Sequence, residues 1–207
     1  MPNPTTKLAA VNIMLSTIGE APITDISSTL LDAQTAVTIL DNINNTVQAK
    51  GWAFNTEFDK TITQIGGEIV LPTNTAKADL AQTETKFRKV ANDYVIRGDA
   101  SAANALKMYD TRKQTFSIGK DLKLDLVLLL DFEQIPELAR RYIAIKASRV
   151  FQERVLGSRS LSEVNRADEQ EALFDLKEAD GSSGDYNIFD DYSAYGALDR
   201  GPHQRVI

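Results

Sequence analysis

A chain of 207 residues, 43% hydrophobic and 25% charged, has enough apolar content for one ordinary domain or one domain carrying an insertion, and its composition is far from that of a disordered chain. Its formal net charge of −6 argues against binding nucleic acid by general phosphate neutralisation, although a repulsive wall would suit a channel along which DNA slides. With no cysteine and one histidine, His203 beside Pro202, the chain cannot build disulfides, zinc thiolate or paired-histidine zinc centres, or a thiol nucleophile.

Residues 1–7 show no basic segment followed by an apolar one, so no secretory signal is expected there. Leu8, Val11, Leu15 and Ile18 then recur at a 3.6-residue period and predict a helix ended by Gly19 and Pro22. A second helix is predicted from an N-cap at Asp32, along a stripe of Ala33, Ala36, Val37, Leu40, Ile43 and Val47, to a stop at Gly51. Its remaining surface (Thr35, Thr38, Asn42, Asn44, Asn45, Thr46) consists of poor helix formers, so packing must hold it in place.

From Trp52 the spacing changes. Trp52, Phe54 and Phe58 are spaced like strand residues, and the alternation at 61–65 ends at Gly66-Gly67, a turn signal. Short strands are expected at 69–71, 89–97, 105–109 and 114–118, with 72–81 a loop and 110–113 a hairpin connection. The run 122–130 alternates at Leu122, Leu124 and Leu126, then turns wholly apolar, and reads as the strand that returns the chain to the core. Lys123 and Asp125 interrupt it, and it is far too short to span a bilayer.

Two long helices follow. Pro136 and Glu137 suit a first turn, and the buried face is assigned to Ala139, Ile143, Ala147, Val150 and Phe151 rather than to Leu138, Tyr142, Ile145, Arg149 and Gln152. Gly157 ends this helix, and Ser160 with Glu163 forms a capping box for an acid-rich helix that ends at Gly181. Its core candidates are Leu161, Val164, Ala167, Leu173, Phe174 and Leu176. The expected fold class is α+β: a bundle of about four helices with a β-rich domain inserted between the second and third. The expected division is 1–51 and 132–180 for the bundle, 52–131 for the insertion and 181–207 for a tail. That tail sets Tyr186, Ile188, Phe189, Tyr192 and Tyr195 among Asp185, Asp190, Asp191 and Asp199, a composition suited either to aromatic anchoring on a partner or to folding back on its own domain.

Signals for chemistry are sparse. Gly66-Gly67 lacks the spacing and the Gly-Lys-Ser/Thr ending of a phosphate loop. An anion at Ser158–Ser160 is not needed once the capping box is invoked. Asp185, Asp190 and Asp191 lack the calcium-loop pattern, so no metal and no cofactor is expected. A glycan hydrolase run by two carboxylates is the remaining enzyme class, with Glu57 and Asp59 or Glu133 and Glu137 as pairs, but 29 acidic residues guarantee some such pair by chance. The basic run Arg140, Arg141, Lys146, Arg149 and Arg154 suggests ion pairs, either within the chain or to a neighbouring subunit.

Three stretches together carry a resemblance. They are 10–23, with Val11-Asn12 leading through Leu15 to Ile18-Gly19-Glu20 and Pro22; 36–55, ending Gly51-Trp52-Ala53-Phe54-Asn55; and 135–152. In this order the chain resembles the tail tubular protein A family, the head-to-tail adaptors of short-tailed bacteriophages. The resemblance implies a helical bundle with an inserted β-rich domain, and a non-enzymatic virion protein of the tail, made in the cytoplasm of the bacterial host. It implies a ring of twelve copies between the portal protein and the tail nozzle protein (tail tubular protein B). The ring would enclose the channel through which DNA leaves, with no sequence-specific DNA binding and no membrane partner. It also gives Tyr186, Phe189, Tyr192 and Tyr195 a role as anchors on the portal or a neighbour. Gly19, Pro22, Trp52, Phe54 and Tyr142 become architectural residues of turns and core. Some relatives have been suggested to degrade surface polysaccharides, an activity for which no constellation in this sequence speaks.

Overall fold

The computed structural model describes residues 5–81, 94–103, 105–157 and 159–183. The chain runs α1 (Lys7–Ser16), α2 (Leu31–Gln48), β1 (Thr56–Ile62), β2 (Thr75–Leu80), β3 (Tyr94–Asp99), β4 (Ala105–Asp110), β5 (Leu122–Leu128), α3 (Glu137–Leu156) and α4 (Arg159–Ser183). The result is a four-helix bundle with two small β-sheets inserted between its second and third helices, the architecture expected from the sequence.

Helix α3 is the centre of the bundle: α1, α2 and α4 all pack on it. Lys7 pairs with Asp41, and Thr5 meets Glu137 while Gln152 Nε2 reaches the Thr17 carbonyl. These contacts set α1 parallel to α3 and α2 antiparallel to both. Pairs Arg141–Asp175 and Arg149–Glu169 set α4 antiparallel to α3. A helix enclosed on several sides is not amphipathic in the simple sense, and this corrects the face assigned from sequence. Tyr142 and Gln152 are buried along with Ala139, Ile143, Ala147 and Phe151, because two opposite faces of α3 are covered. The small residues Ala139, Ala144, Ala147 and Ser148 allow the close approach.

Several helix ends differ from the sequence reading. α2 starts at Leu31 with Leu30 in the cap position and no side-chain cap, while Asp32 lies within the first turn, where its charge still favours the helix dipole. Pro136 is the N-cap of α3 rather than its first helical residue. α4 begins at Arg159, so Ser160 lies inside the first turn and cannot act as N-cap, and the helix continues past Gly181 to Ser183. Gly157 does end α3, in the left-handed region at φ 64°.

In the insertion, β5 is the central strand of an antiparallel sheet ordered β1-β5-β2, and β3 pairs with β4 in a second sheet. Leu122, Leu124 and Leu126 point inward with Ile69, Leu71, Ala78 and Met108, the alternation expected of a half-buried strand. The stretch expected to be a loop, 72–81, instead holds β2. Its Ala78 is buried and its backbone pairs with β5, so tertiary pairing overrides a weak local preference. Residues 69–71 lie extended beside β4, with Leu71 N–H donating to the Leu106 carbonyl (2.8 Å) and Met108 N–H to the Ile69 carbonyl (3.0 Å). Residues 114–118 make only isolated bridges. β3 starts at Tyr94, so the 89–93 part of that expected strand lies outside the described residues. β1 carries a bulge between Glu57 and Lys60, and Asp59 takes φ 52°, where a non-glycine residue stores roughly 1–2 kcal/mol of strain.

Candidate functional site: the junction of bundle and insertion

The chain crosses from the bundle into the insertion at 48–56 and returns at 128–131, and one set of buried polar side chains joins the two crossings. Gln48, in the last turn of α2, is fully buried. Its Nε2 donates to the Leu130 carbonyl (2.8 Å) and to Asn44 Oδ1 (2.9 Å), and its Oε1 accepts from the Leu130 N–H (2.8 Å). Every polar site on that amide plane has a partner, which is the condition for a buried amide to stabilise rather than destabilise. Asn55, also buried, donates from Nδ2 to the Gln48 carbonyl (3.0 Å) and the Leu128 carbonyl (2.7 Å), while its Oδ1 accepts from the Trp52 N–H (2.9 Å).

The motif Gly51-Trp-Ala-Phe-Asn55 is thus a connector. The spacing reads as strand in sequence, but Ala53–Asn55 form a 3-10 turn and the strand begins only at Thr56. Gly51 takes φ 82°, and a Cβ there would lie 3.2 Å from Val127 Cγ2, so both the backbone and the close approach of β5 call for glycine. Trp52 is buried, and its Nε1 donates to the Val47 carbonyl at the end of α2 (2.8 Å). Phe54 is half-buried against the bundle core. The end of α4 reaches the same place: Asp180 Oδ1 accepts the Ala53 N–H at 2.7 Å.

The other sequence motif has a similar explanation. Gly19 takes φ 82° in the turn after α1, Pro22 lies exposed in the loop, and Asn12 clamps that loop. Asn12 Nδ2 donates to the Ile23 carbonyl (3.0 Å) and its Oδ1 accepts the Ile23 N–H (2.9 Å), which fixes the buried Ile23. Sequence reasoning assigned no role to Asn12, Gln48 or Asn55. Asn12 and Asn55 lie within the motifs quoted above, so the pattern held a signal that composition and period could not decode.

Charged clusters lie on either side of the junction. The segment preceding α1 is tied to the start of α3: Glu137 accepts from the Thr5 N–H (2.8 Å) and hydroxyl, and Arg140 donates to the carbonyls of Ile135 (2.8 Å), Thr5 (3.2 Å) and Glu133. Glu133 also accepts from the Lys7 N–H (3.1 Å). Between α3 and α4, Glu169 takes Arg149 (2.6 Å) and Lys146 (3.5 Å), and Arg149 also meets Glu153 (2.9 Å). Burial works against the Arg149 charge, but its bonds to Glu169 and Glu153 outweigh that and raise its pKa. Most of the basic run is therefore engaged within the chain, with Arg154 left exposed. The carboxylates weighed as catalytic pairs are likewise engaged: Glu57 pairs with Lys60, and Glu133 and Glu137 hold the start of α1 and the residues before it.

In the insertion, Lys107 lies buried between Asp99 (2.6 Å) and Glu68 (2.5 Å). Its hydrogen bond to Asp99, reinforced by the Ser101 hydroxyl and N–H on the same carboxylate, lowers the Asp99 pKa to about 2. A carboxylate with a depressed folded-state pKa adds stability above its unfolded value near 3.8, and that contribution is lost as pH falls toward 2. The urea midpoint should therefore drop between about pH 4 and pH 2, and Asp99→Asn should flatten that part of the profile. An unchanged profile in the variant would assign the acid sensitivity to other groups.

The tail aromatics Tyr186, Phe189, Tyr192 and Tyr195, the acidic trio Asp185, Asp190 and Asp191, and His203 lie outside the described residues. Among the described residues no group of three or more His, Cys, Asp or Glu side chains could hold a metal ion, and no helix is long and apolar enough to cross a membrane. The arrangement joins the helical bundle to the inserted sheets through buried amide side chains. A family model described as tail tubular protein matches residues 8–186. No curated protein matches the sequence.

Proposed function

This chain belongs to the tail tubular protein family, a family of structural tail components, and on that premise we propose that it forms the adaptor ring between the portal and the tail nozzle of a virion, enclosing the channel through which the genome leaves. The observation that carries this reading is the junction. A closed ring needs two unlike faces on each subunit, presented at a constant angle. A bundle and an insertion locked together by Gln48 and Asn55 supply two chemically different bodies in one rigid piece. The expected assembly has twelve copies, with the portal on one side and tail tubular protein B on the other. The net charge of −6 suits a wall along which DNA passes without being held. In this reading Tyr186, Phe189, Tyr192 and Tyr195 anchor the tail segment on another subunit of the assembly.

The test is the native mass of the purified chain, alone and mixed with its cognate portal ring. Twelve copies on the portal are expected, whether or not the ring closes without it. A chain that stays monomeric and does not associate with the portal would overturn the adaptor reading.

A further inference from the structure

The junction encloses a cleft of about 270 Å³ lined by Lys50, Trp52, Thr56, Phe58, Lys77 and Asp180 among others. At its edge Phe58 is 62% exposed. The bulge in β1 sets it there: Asp59 is held in the left-handed region, with its N–H donating to Asp125 Oδ1 (2.9 Å). Backbone strain that keeps an aromatic ring in water calls for a partner that covers the ring. The cleft's acids are engaged, Asp79 with Lys77 (3.0 Å), Asp125 with the Asp59 N–H and Asp180 with the Ala53 N–H. Lys50 is exposed and has no ion pair among the described residues.

The chain supplies a segment of matching chemistry at the same level. α4 passes the cleft at Asp180 and continues for three residues, about 4.5 Å, to Ser183, and residues 184–207 follow in the sequence. In those residues Tyr186, Phe189, Tyr192 and Tyr195 recur at every third position, interspersed with Asp185, Asp190 and Asp191. At roughly 3.3 Å per extended residue, the four rings cover about 30 Å, enough to cross from one subunit to the next.

We infer that the junction cleft of each copy receives the C-terminal aromatic segment of the adjacent copy, with Phe58 and Trp52 packing against its rings and Lys50 meeting its carboxylates. This rests on the ring reading and deepens it. A concave aromatic site with a free cation and an acidic aromatic arm are the two unlike, complementary surfaces that a rotational ring requires. The described end of α4 lies beside the cleft of its own copy, and the need of a ring for two unlike faces assigns the segment beyond it to the neighbour.

Two full-length variants test the inference: Phe58→Ser, and a second carrying Tyr186→Ala, Phe189→Ala, Tyr192→Ala and Tyr195→Ala together. Each should keep wild-type circular dichroism and lose the ring, measured by native mass with the portal present if closure needs it. Mixed together, they should form one-to-one pairs, because each pair combines one intact cleft with one intact arm, and emission from Trp52, the chain's single tryptophan, should shift on mixing. Rings from either variant that match wild type would overturn the inference and leave the ring reading standing. The inference would also fall if the mixture stayed monomeric, or if wild type showed the Trp52 shift at every dilution, since the second result means the arm occupies its own cleft. Wild type that forms no ring even with the portal would overturn both readings.

Discussion

Gln48→Ala is expected to lower the unfolding free energy by about 4 kcal/mol. The side chain is fully buried and satisfies both backbone groups of Leu130 as well as Asn44 Oδ1. Its removal strands the part-buried Leu130 N–H, leaves the Leu130 carbonyl only the long bond from Asn44 Nδ2 (3.5 Å), at about 1–3 kcal/mol for each group, and opens a cavity. Against a total stability of about 5–15 kcal/mol for an ordinary domain, such a loss would show at room temperature. Gln48→Leu separates the two causes, because leucine restores most of the volume and none of the hydrogen bonds. If hydrogen bonding dominates, both variants lower the urea midpoint by similar amounts with an unchanged slope. A leucine variant close to wild type would assign the effect to volume alone and remove the amide from the account of the junction.

Trp52→Ala should destabilise by about 3–5 kcal/mol, the range for removing a large buried aromatic side chain. Trp52 packs into the bundle core while its Nε1 donates to the Val47 carbonyl at the C-terminal end of α2. Trp52→Phe keeps most of the packing and loses that bond, so a loss nearer 1 kcal/mol is expected beyond the change in volume. Thermal unfolding of the pair ranks packing against hydrogen bonding. Equal losses in the two variants would mean that the hydrogen bond dominates.

The long periodic segments were legible in the sequence because burial there follows one helical stripe or one strand face. α1, α2 and β5 are of this kind: Val11 and Leu15, Ala33, Ala36, Leu40 and Val47, and Leu122, Leu124 and Leu126 are all buried. α3 was read less well because it is enclosed on two sides, so no single stripe separates Tyr142 from Ile143. β2 was missed because the alternation of Ala76, Ala78 and Leu80 rests mainly on alanine, a poor strand former, and its strand character is set by pairing with β5. The polar junction was hidden for a related reason. Asn44 was read as part of a polar face and Gln48 as nothing in particular, since a buried amide looks the same in sequence as a solvated one. Only the arrival of Leu130, eighty-two residues later, gives Gln48 its partner. The family resemblance pointed to the same motif without explaining it.

The paired bonds between Gln48 and Leu130 also have a mechanical meaning. Donor and acceptor on one amide plane face acceptor and donor on one residue of the returning strand. A pull that separates the insertion from the bundle would stretch both bonds at once rather than opening them in turn. Asn55, joined to the Gln48 and Leu128 carbonyls, shares the same tension. A subunit stitched in this way would transmit a push on one body to the other with little lag. Such a subunit would gain resistance to shear from a few buried amides, without a larger apolar core.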